Sequence, residues 1–239
     1  MADLAPQIPA PGALHPLNEA MIRGRHTENV TVGEEIIRHR LLSRVIHWSV
    51  ALFFFLALFT GLPIWTPIFG WMAHLFGGLA VCRWLHPWVG ILFFAGSAAM
   101  FFHWVKEMKL QPNDRAWLGP KLWKYLSYAE EDPDVGKYNG GQKLFFFTVG
   151  LGALGVLLSG VVLWFPLSFS QLLRELSLVL HDVTFILFAV AVIAHIYLGT
   201  AAEPGTFESM TRGTVSKRWA RLHHPRWYRE VTGEESRRR

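Results

Sequence analysis

Four apolar runs constrain this chain more than any other feature: VIHWSVALFFFLALFTGLPIW (45–65), HPWVGILFFAGSAAMFFHWV (86–105), LFFFTVGLGALGVLLSGVVLWF (144–165) and LSLVLHDVTFILFAVAVIAHIYLGT (176–200). Each has the roughly 20 residues an α-helix needs to cross a bilayer. Inside lipid, backbone polar groups must be satisfied within the segment, so four such runs predict helices. Charged residues make up 17% of the 239-residue chain, against about 25% in soluble domains. The expected fold class is an all-α membrane protein, a four-transmembrane-helix bundle.

A fifth run, IWTPIFGWMAHLFGGLAVC (64–82), is broken by Pro67 and several glycines, and reads as a loop with an interfacial helix. Charge supports this choice. With four spans, all of the 23 Lys and Arg except Arg83 and Arg174 fall on one side. The positive-inside rule makes that side cytoplasmic and puts both termini there. The net charge of +5 then reflects topology and anionic lipid headgroups. No soluble basic domain is present to serve a nucleic-acid partner.

Residues 1–30, rich in Pro, Ala and polar side chains, read as a disordered extension with no secretory signal. Residues 31–210 form the membrane domain and 211–239 a basic cytoplasmic tail. Within the domain, WLGPKLWKYLSYAEE (117–131) suits a short amphipathic helix on the membrane surface. Trp219, Trp227 and Tyr228, set among arginines, suggest interfacial anchoring. Cys82 is the single cysteine, which excludes an internal disulfide, an iron–sulfur cluster and a Cys-x-x-Cys-His haem attachment.

Five histidines fall in or at the ends of spans: His47, His86, His103, His181 and His195. An ionisable group there is expensive and usually functional. His181 and His195 are fourteen residues apart, within about 40° of four full helical turns and roughly 21 Å along the axis. They therefore share a face at two depths. Such a spacing suits two separate sites and does not suit two ligands to one metal. Alternating span direction matches His47 to the depth of His195, and His86 to the depth of His181. Neutral imidazole is a usual axial ligand of haem iron. Zinc or copper would normally require more ligands at each depth. Two stacked bis-histidine haems are the expected cofactors. His103 faces elsewhere, His74 belongs to a surface loop, and His223 and His224 belong to the tail as lipid or subunit contacts. Glycines 61, 90, 96, 150, 152, 155 and 160 serve packing, some of them against haem.

The motifs RVIHWSV, RWLHPWVGI, DVGKYNGGQK, the spaced histidines of the fourth span and SKRWARLHHPRWYRE resemble the gamma, or cytochrome b, subunit of respiratory membrane-bound formate dehydrogenase. The resemblance covers approximately residues 36–230. It implies a bacterial inner-membrane protein binding two haems b, the external one held by His86 and His181 and the cytoplasmic one by His47 and His195. It further implies a quinone site (menaquinone or ubiquinone) beside the cytoplasmic haem, with contacts at Asn139 and Gly141. The implied partners are an iron–sulfur beta subunit and a catalytic molybdenum or tungsten alpha subunit, where formate is oxidised. Electrons would pass from the iron–sulfur subunit through both haems to quinone. Read from the residues alone, Asn-Gly-Gly before an apolar helix is also what a turn and helix start require. Lys137, Lys143 and Asp134 are candidate proton-side groups. Two other readings remain at this point: the cytochrome b of a hydrogenase or another molybdoenzyme, and a haem-free membrane anchor or transporter using histidine proton relays.

Overall fold

The computed structural model describes residues 15–112, 114 and 134–234. They fall into two compact units, one of Val45–Glu130 with Tyr138–Glu203, the other of the two terminal segments with Glu131–Lys137. The surface helix expected at 117–131 lies outside the described residues.

The larger unit is built on four long helices: α2 (Leu41–Trp65), α3 (Leu79–Trp104), α4 (Gly140–Trp164) and α5 (Gln171–Tyr197), the last continued by a π-helical turn, Leu198–Ala202. All four are long and apolar enough to cross a membrane. All four begin four to seven residues before the apolar runs expected from sequence, and Gly78, Asn139 and Ser170 set the N-caps of the last three. The fifth candidate forms a ten-residue 3-10 helix, Pro67–Phe76. At about 2 Å per residue it reaches only about 20 Å, too short to span.

Side chains in this unit are apolar on the outside as well as in the core, where Phe93, Val149 and Phe188 are buried. Leu52, Phe102, Leu151, Val190 and Ile193 point outward, while Thr60, Ser97 and Ser159 are buried. Outward apolar groups meet lipid at no cost, whereas hydroxyls need partners inside. Thr60 and Ser159 donate to the carbonyls of Leu56 and Gly155, both at 2.7 Å. The backbone of α4 lies close to α3 and α5, while few close approaches join α5 to α2 or to α3. Those looser pairs carry the four histidines of interest.

The smaller unit holds α1 (Pro16–Arg23), strands β1 (Val30–Val32), β2 (Glu35–Ile37) and β3 (Thr214–Ser216), and helices α6 (Glu208–Thr211), α7 (Lys217–His223) and α8 (Pro225–Thr232). The strands form an antiparallel sheet in the order β1-β2-β3, pairing Thr31 with Ile36 and Ile36 with Val215. An all-α architecture therefore needs amending by this small sheet. Residues 15–30 are also folded, contrary to the expectation of a disordered extension to residue 30. Ala20 packs with Val32 and Ile37 in a buried cluster, which gives α1 a tertiary reason to form. The division at 210/211 shifts as well, because Pro204–Arg239 joins the N-terminal segment.

Trp219, Trp227 and Tyr228 are not interfacial anchors. With Ile36, Val215 and Ala220 they form the core of this unit. The guanidinium of Arg38 lies over both indoles, 4.8 Å from the Trp219 ring and 5.4 Å from that of Trp227, a cation–π arrangement. His224, expected as a lipid or subunit contact, is 2% exposed. Its Nδ1 pairs with the Gly136 carbonyl at 2.7 Å. Aromatic side chains among arginines look the same in sequence whether they face headgroups or a cation in a core.

Candidate functional site

All four histidines expected as ligands lie in the larger unit, and the structure joins them in the expected pairs. The ring centroids of His47 and His195 are 6.1 Å apart, and those of His86 and His181 are 6.2 Å apart. An iron–nitrogen bond of about 2 Å, with about 1.1 Å from nitrogen to ring centre, puts two trans imidazoles about 6 Å apart. Both pairs therefore fit one iron each. His181 and His195 sit on a single unbroken helix, so the two sites are separated by its rise. Among the described residues no three His, Cys, Asp or Glu group as a metal cluster.

Groups not anticipated from sequence orient the His86–His181 pair. His86 Nδ1 lies 3.1 Å from the Ala57 carbonyl and 3.2 Å from Thr60 Oγ1. A carbonyl can only accept, so Nδ1 carries the hydrogen and Nε2 keeps its lone pair for metal. His181 Nδ1 lies 2.9 Å from Ser159 Oγ. The Ser159 proton is committed to Gly155, so here too the ring donates. Such an outer partner is the common companion of a metal-bound histidine. Each ring also lies against the glycine that follows its hydroxyl residue. A Cβ on Gly61 would stand 2.9 Å from His86 Cε1, and one on Gly160 would stand 3.4 Å from His181 Cε1. A Cβ on Gly90, one turn beyond His86, would meet nothing within 4 Å. A hydroxyl followed by glycine, at histidine depth on a neighbouring helix, was the sequence signal available for both partners.

The His47–His195 pair is held differently. His47 Nδ1 is buried and has no hydrogen-bond partner among the described residues. The His195 ring stacks on Phe145 at 4.7 Å and 5°. Between the two pairs lies an aromatic layer of Phe54, Phe93 and Phe188, with ring centroids 5.8–6.2 Å apart. Phe54 follows His47 by seven residues, Phe93 follows His86 by seven, and Phe188 lies seven from both His181 and His195. Seven residues are close to two turns, so every histidine-bearing helix contributes its phenylalanine at one depth.

Asn139 is the N-cap of α4 in a reciprocal capping box. Its Oδ1 accepts from Gln142 N at 2.9 Å, and its backbone N–H donates to Gln142 Oε1 at 3.1 Å. The cap leaves the Nδ2 hydrogens uncommitted. Gly141 is one turn before Phe145, so it shares the face that stacks on His195. Of the proton-side candidates, Lys143 forms a buried pair with Asp114 at 2.7 Å. Lys137 approaches Glu28 at 3.6 Å, and Asp134 approaches Arg226 at 3.4 Å. His103 stands edge-on to Trp104 and joins neither pair. His74 is exposed on the 3-10 helix.

Comparison with known proteins adds an independent line. Residues 38–213 match the family described as prokaryotic cytochrome b561. The chain is 35% identical to the cytochrome b556(fdo) subunit of formate dehydrogenase of Escherichia coli, over 83% of this chain and 94% of that protein. It is 33% identical to the nitrate-inducible cytochrome b556(Fdn) subunit of the same organism, over 84% and 94% of the two chains. The cytochrome b556 subunit from Haemophilus influenzae is 33% identical over 82% and 83%.

Proposed function

The chain belongs to the prokaryotic cytochrome b561 family and, within it, to the cytochrome b556 subunits of formate dehydrogenase; from that premise we propose that it carries electrons across the bilayer to quinone. It is an integral membrane protein of a formate dehydrogenase complex, and its family implies b-type haem. His86 and His181 hold one haem near the external face, and His47 and His195 hold a second near the cytoplasmic face. The observation that carries this reading is the pair of 6.1 and 6.2 Å imidazole spacings at two depths of one helix. Two imidazoles at iron-binding distance are what a non-covalent haem needs from its protein.

Bound haem supplies reversible one-electron chemistry at each depth. The chain's own residues do the rest. The helices exclude water, Ala57, Thr60 and Ser159 hold two of the imidazoles in a fixed tautomer, and the phenylalanine layer sets the gap between the sites. Electrons enter at the external end from an iron–sulfur beta subunit, which receives them from a molybdenum or tungsten alpha subunit, where formate is oxidised. They leave at the cytoplasmic end, where Asn139 Nδ2 and the backbone at Gly141 hold a quinone carbonyl beside His195. Lys143, paired with Asp114, stands on the same helix one turn from Asn139 and can pass protons taken from the cytoplasm. The inner membrane of a bacterium is the setting, with both termini in the cytoplasm.

Purification with the partner subunits tests this directly. Pyridine haemochrome and reduced-minus-oxidised spectra are expected to count two b haems per chain, and the complex to couple formate oxidation to quinone reduction. A count of none or one would refute the two-site reading.

A further inference from the structure

The two histidine pairs are chemically alike in their iron-binding atoms and unlike in everything behind them. Both rings of the His86–His181 pair donate Nδ1–H to oxygen, through Ala57 and Thr60 on one side and Ser159 on the other. The oxygens are well placed to accept, because each hydroxyl gives its own proton to a carbonyl one turn back, at 2.7 Å. Chains of this kind polarise one another. Across the aromatic layer, His47 Nδ1 has no such partner among the described residues, and His195 is held by ring stacking on Phe145.

A hydrogen bond that pulls on Nδ1–H makes the ring a stronger electron donor through Nε2. A stronger donor favours the oxidised, more positive iron and lowers the reduction potential. The protein's means of setting a haem potential are axial-ligand identity, hydrogen bonding behind the ligands, burial and distortion of the ring. Ligand identity is the same at both sites, so hydrogen bonding is the difference the structure displays.

We propose that Thr60 and Ser159 are positioning residues that hold the His86–His181 haem at the lower potential, so that an electron runs downhill from it to the His47–His195 haem and on toward quinone. This rests on the two-haem reading above. In each transfer one electron leaves a ferrous iron, which becomes ferric, and reduces a ferric iron to ferrous; no bond forms or breaks and no proton moves.

The experiment is an equilibrium redox titration of the haem absorbance in the purified complex, compared among wild type, Ser159→Ala, Thr60→Val and Thr60→Ser. Wild type is expected to titrate in two one-electron steps. Ser159→Ala should raise the lower step by about tenfold in its equilibrium constant, or about 59 mV for one electron, and leave the higher step in place. Thr60→Val should raise the same step too, each change being tempered by a backbone acceptor that stays behind, Ala57 for His86 and Val156 for His181. Thr60→Ser, which keeps the hydroxyl, should match wild type. In Ser159→Ala, movement of the higher step, of both steps or of neither overturns the proposal, as does movement of either step in Thr60→Ser. So does loss of a haem from Ser159→Ala, which would make the hydroxyl a retention device. Haem counting on the same samples separates these failures from failure of the two-haem reading, in which wild type itself would hold fewer than two.

Discussion

Gly152 offers a sharp test of the aromatic layer, because its effect should reverse sign in a second background. A Cβ added there would stand 2.6 Å from Phe188 Cζ and 2.9 Å from Cε1. Ordinary contact begins about 1 Å further out. Phe188 is 4% exposed, and Phe54 and Phe93 abut its other sides edge-on. The ring therefore cannot step aside without disturbing the layer. Overpacking of this kind costs about 1–3 kcal/mol, and a ring held on several sides belongs near the top of that range. Replacing glycine by alanine in a helix returns up to about 1 kcal/mol. The net expectation for Gly152→Ala is a loss of about 2 kcal/mol, or roughly 4–8 °C in melting temperature for a chain this size.

Phe188→Leu removes the atoms that the new methyl would strike. In that background Gly152→Ala should be neutral or stabilising, because only the helix-propensity gain remains. The coupling energy of the cycle should therefore be about 2–3 kcal/mol in the compensating direction. Melting of the purified complex, followed by haem absorbance at one scan rate, provides the readout for all four proteins. Additive losses would refute the packing argument and place the importance of Gly152 elsewhere.

Other outcomes follow from the same geometry. His181→Ala and His195→Ala should each remove one b haem and leave the other, as counted by pyridine haemochrome; loss of both from either variant would contradict two independent sites. Asn139→Asp keeps the oxygen that caps α4 and removes the amide donor, so it should slow quinone reduction at unchanged haem content and melting temperature. Asn139→Ala should add a stability loss of about 1 kcal/mol from the lost cap. Burial holds His224 well below its usual value of 6.5, with help from the Arg38 and His223 charges and partial opposition from the hydrogen bond to Gly136. A lowered pKa means that the unfolded chain takes up the proton first, so stability is full above pH 6.5 and falls as pH drops below it, by up to about 1.4 kcal/mol per pH unit. His224→Gln, which keeps a donor for Gly136, should flatten that fall as read by fluorescence of the adjoining Trp219 and Trp227; an unchanged pH profile would show that another group titrates.

What the sequence disclosed and what it withheld follow a physical division. Membrane spans are legible because lipid imposes length and polarity residue by residue, and histidine depth follows from helix rise alone. Pairing of His47 with His195 and His86 with His181 needed only these two facts. The groups behind the imidazoles left only an ambiguous signal, a hydroxyl followed by glycine, because a hydroxyl in a membrane helix can satisfy itself on its own backbone. Thr60 and Ser159 do bond to carbonyls one turn back, and only the rotation of α2 and α4 about their axes turns them toward a histidine. The smaller unit failed to read for a different reason. Its strands are three residues each, too short for an alternating pattern to stand out. Its sheet joins residues 30–37 to 214–216, a pairing that no local signal encodes. The same tail that reads as a set of interfacial anchors is a core because Ile36 packs with its indoles and Arg38, nearly two hundred residues away, lies over them. Depth along a membrane normal is a local property of sequence, whereas the azimuth of a helix and the partner of a short strand are properties of the assembled fold.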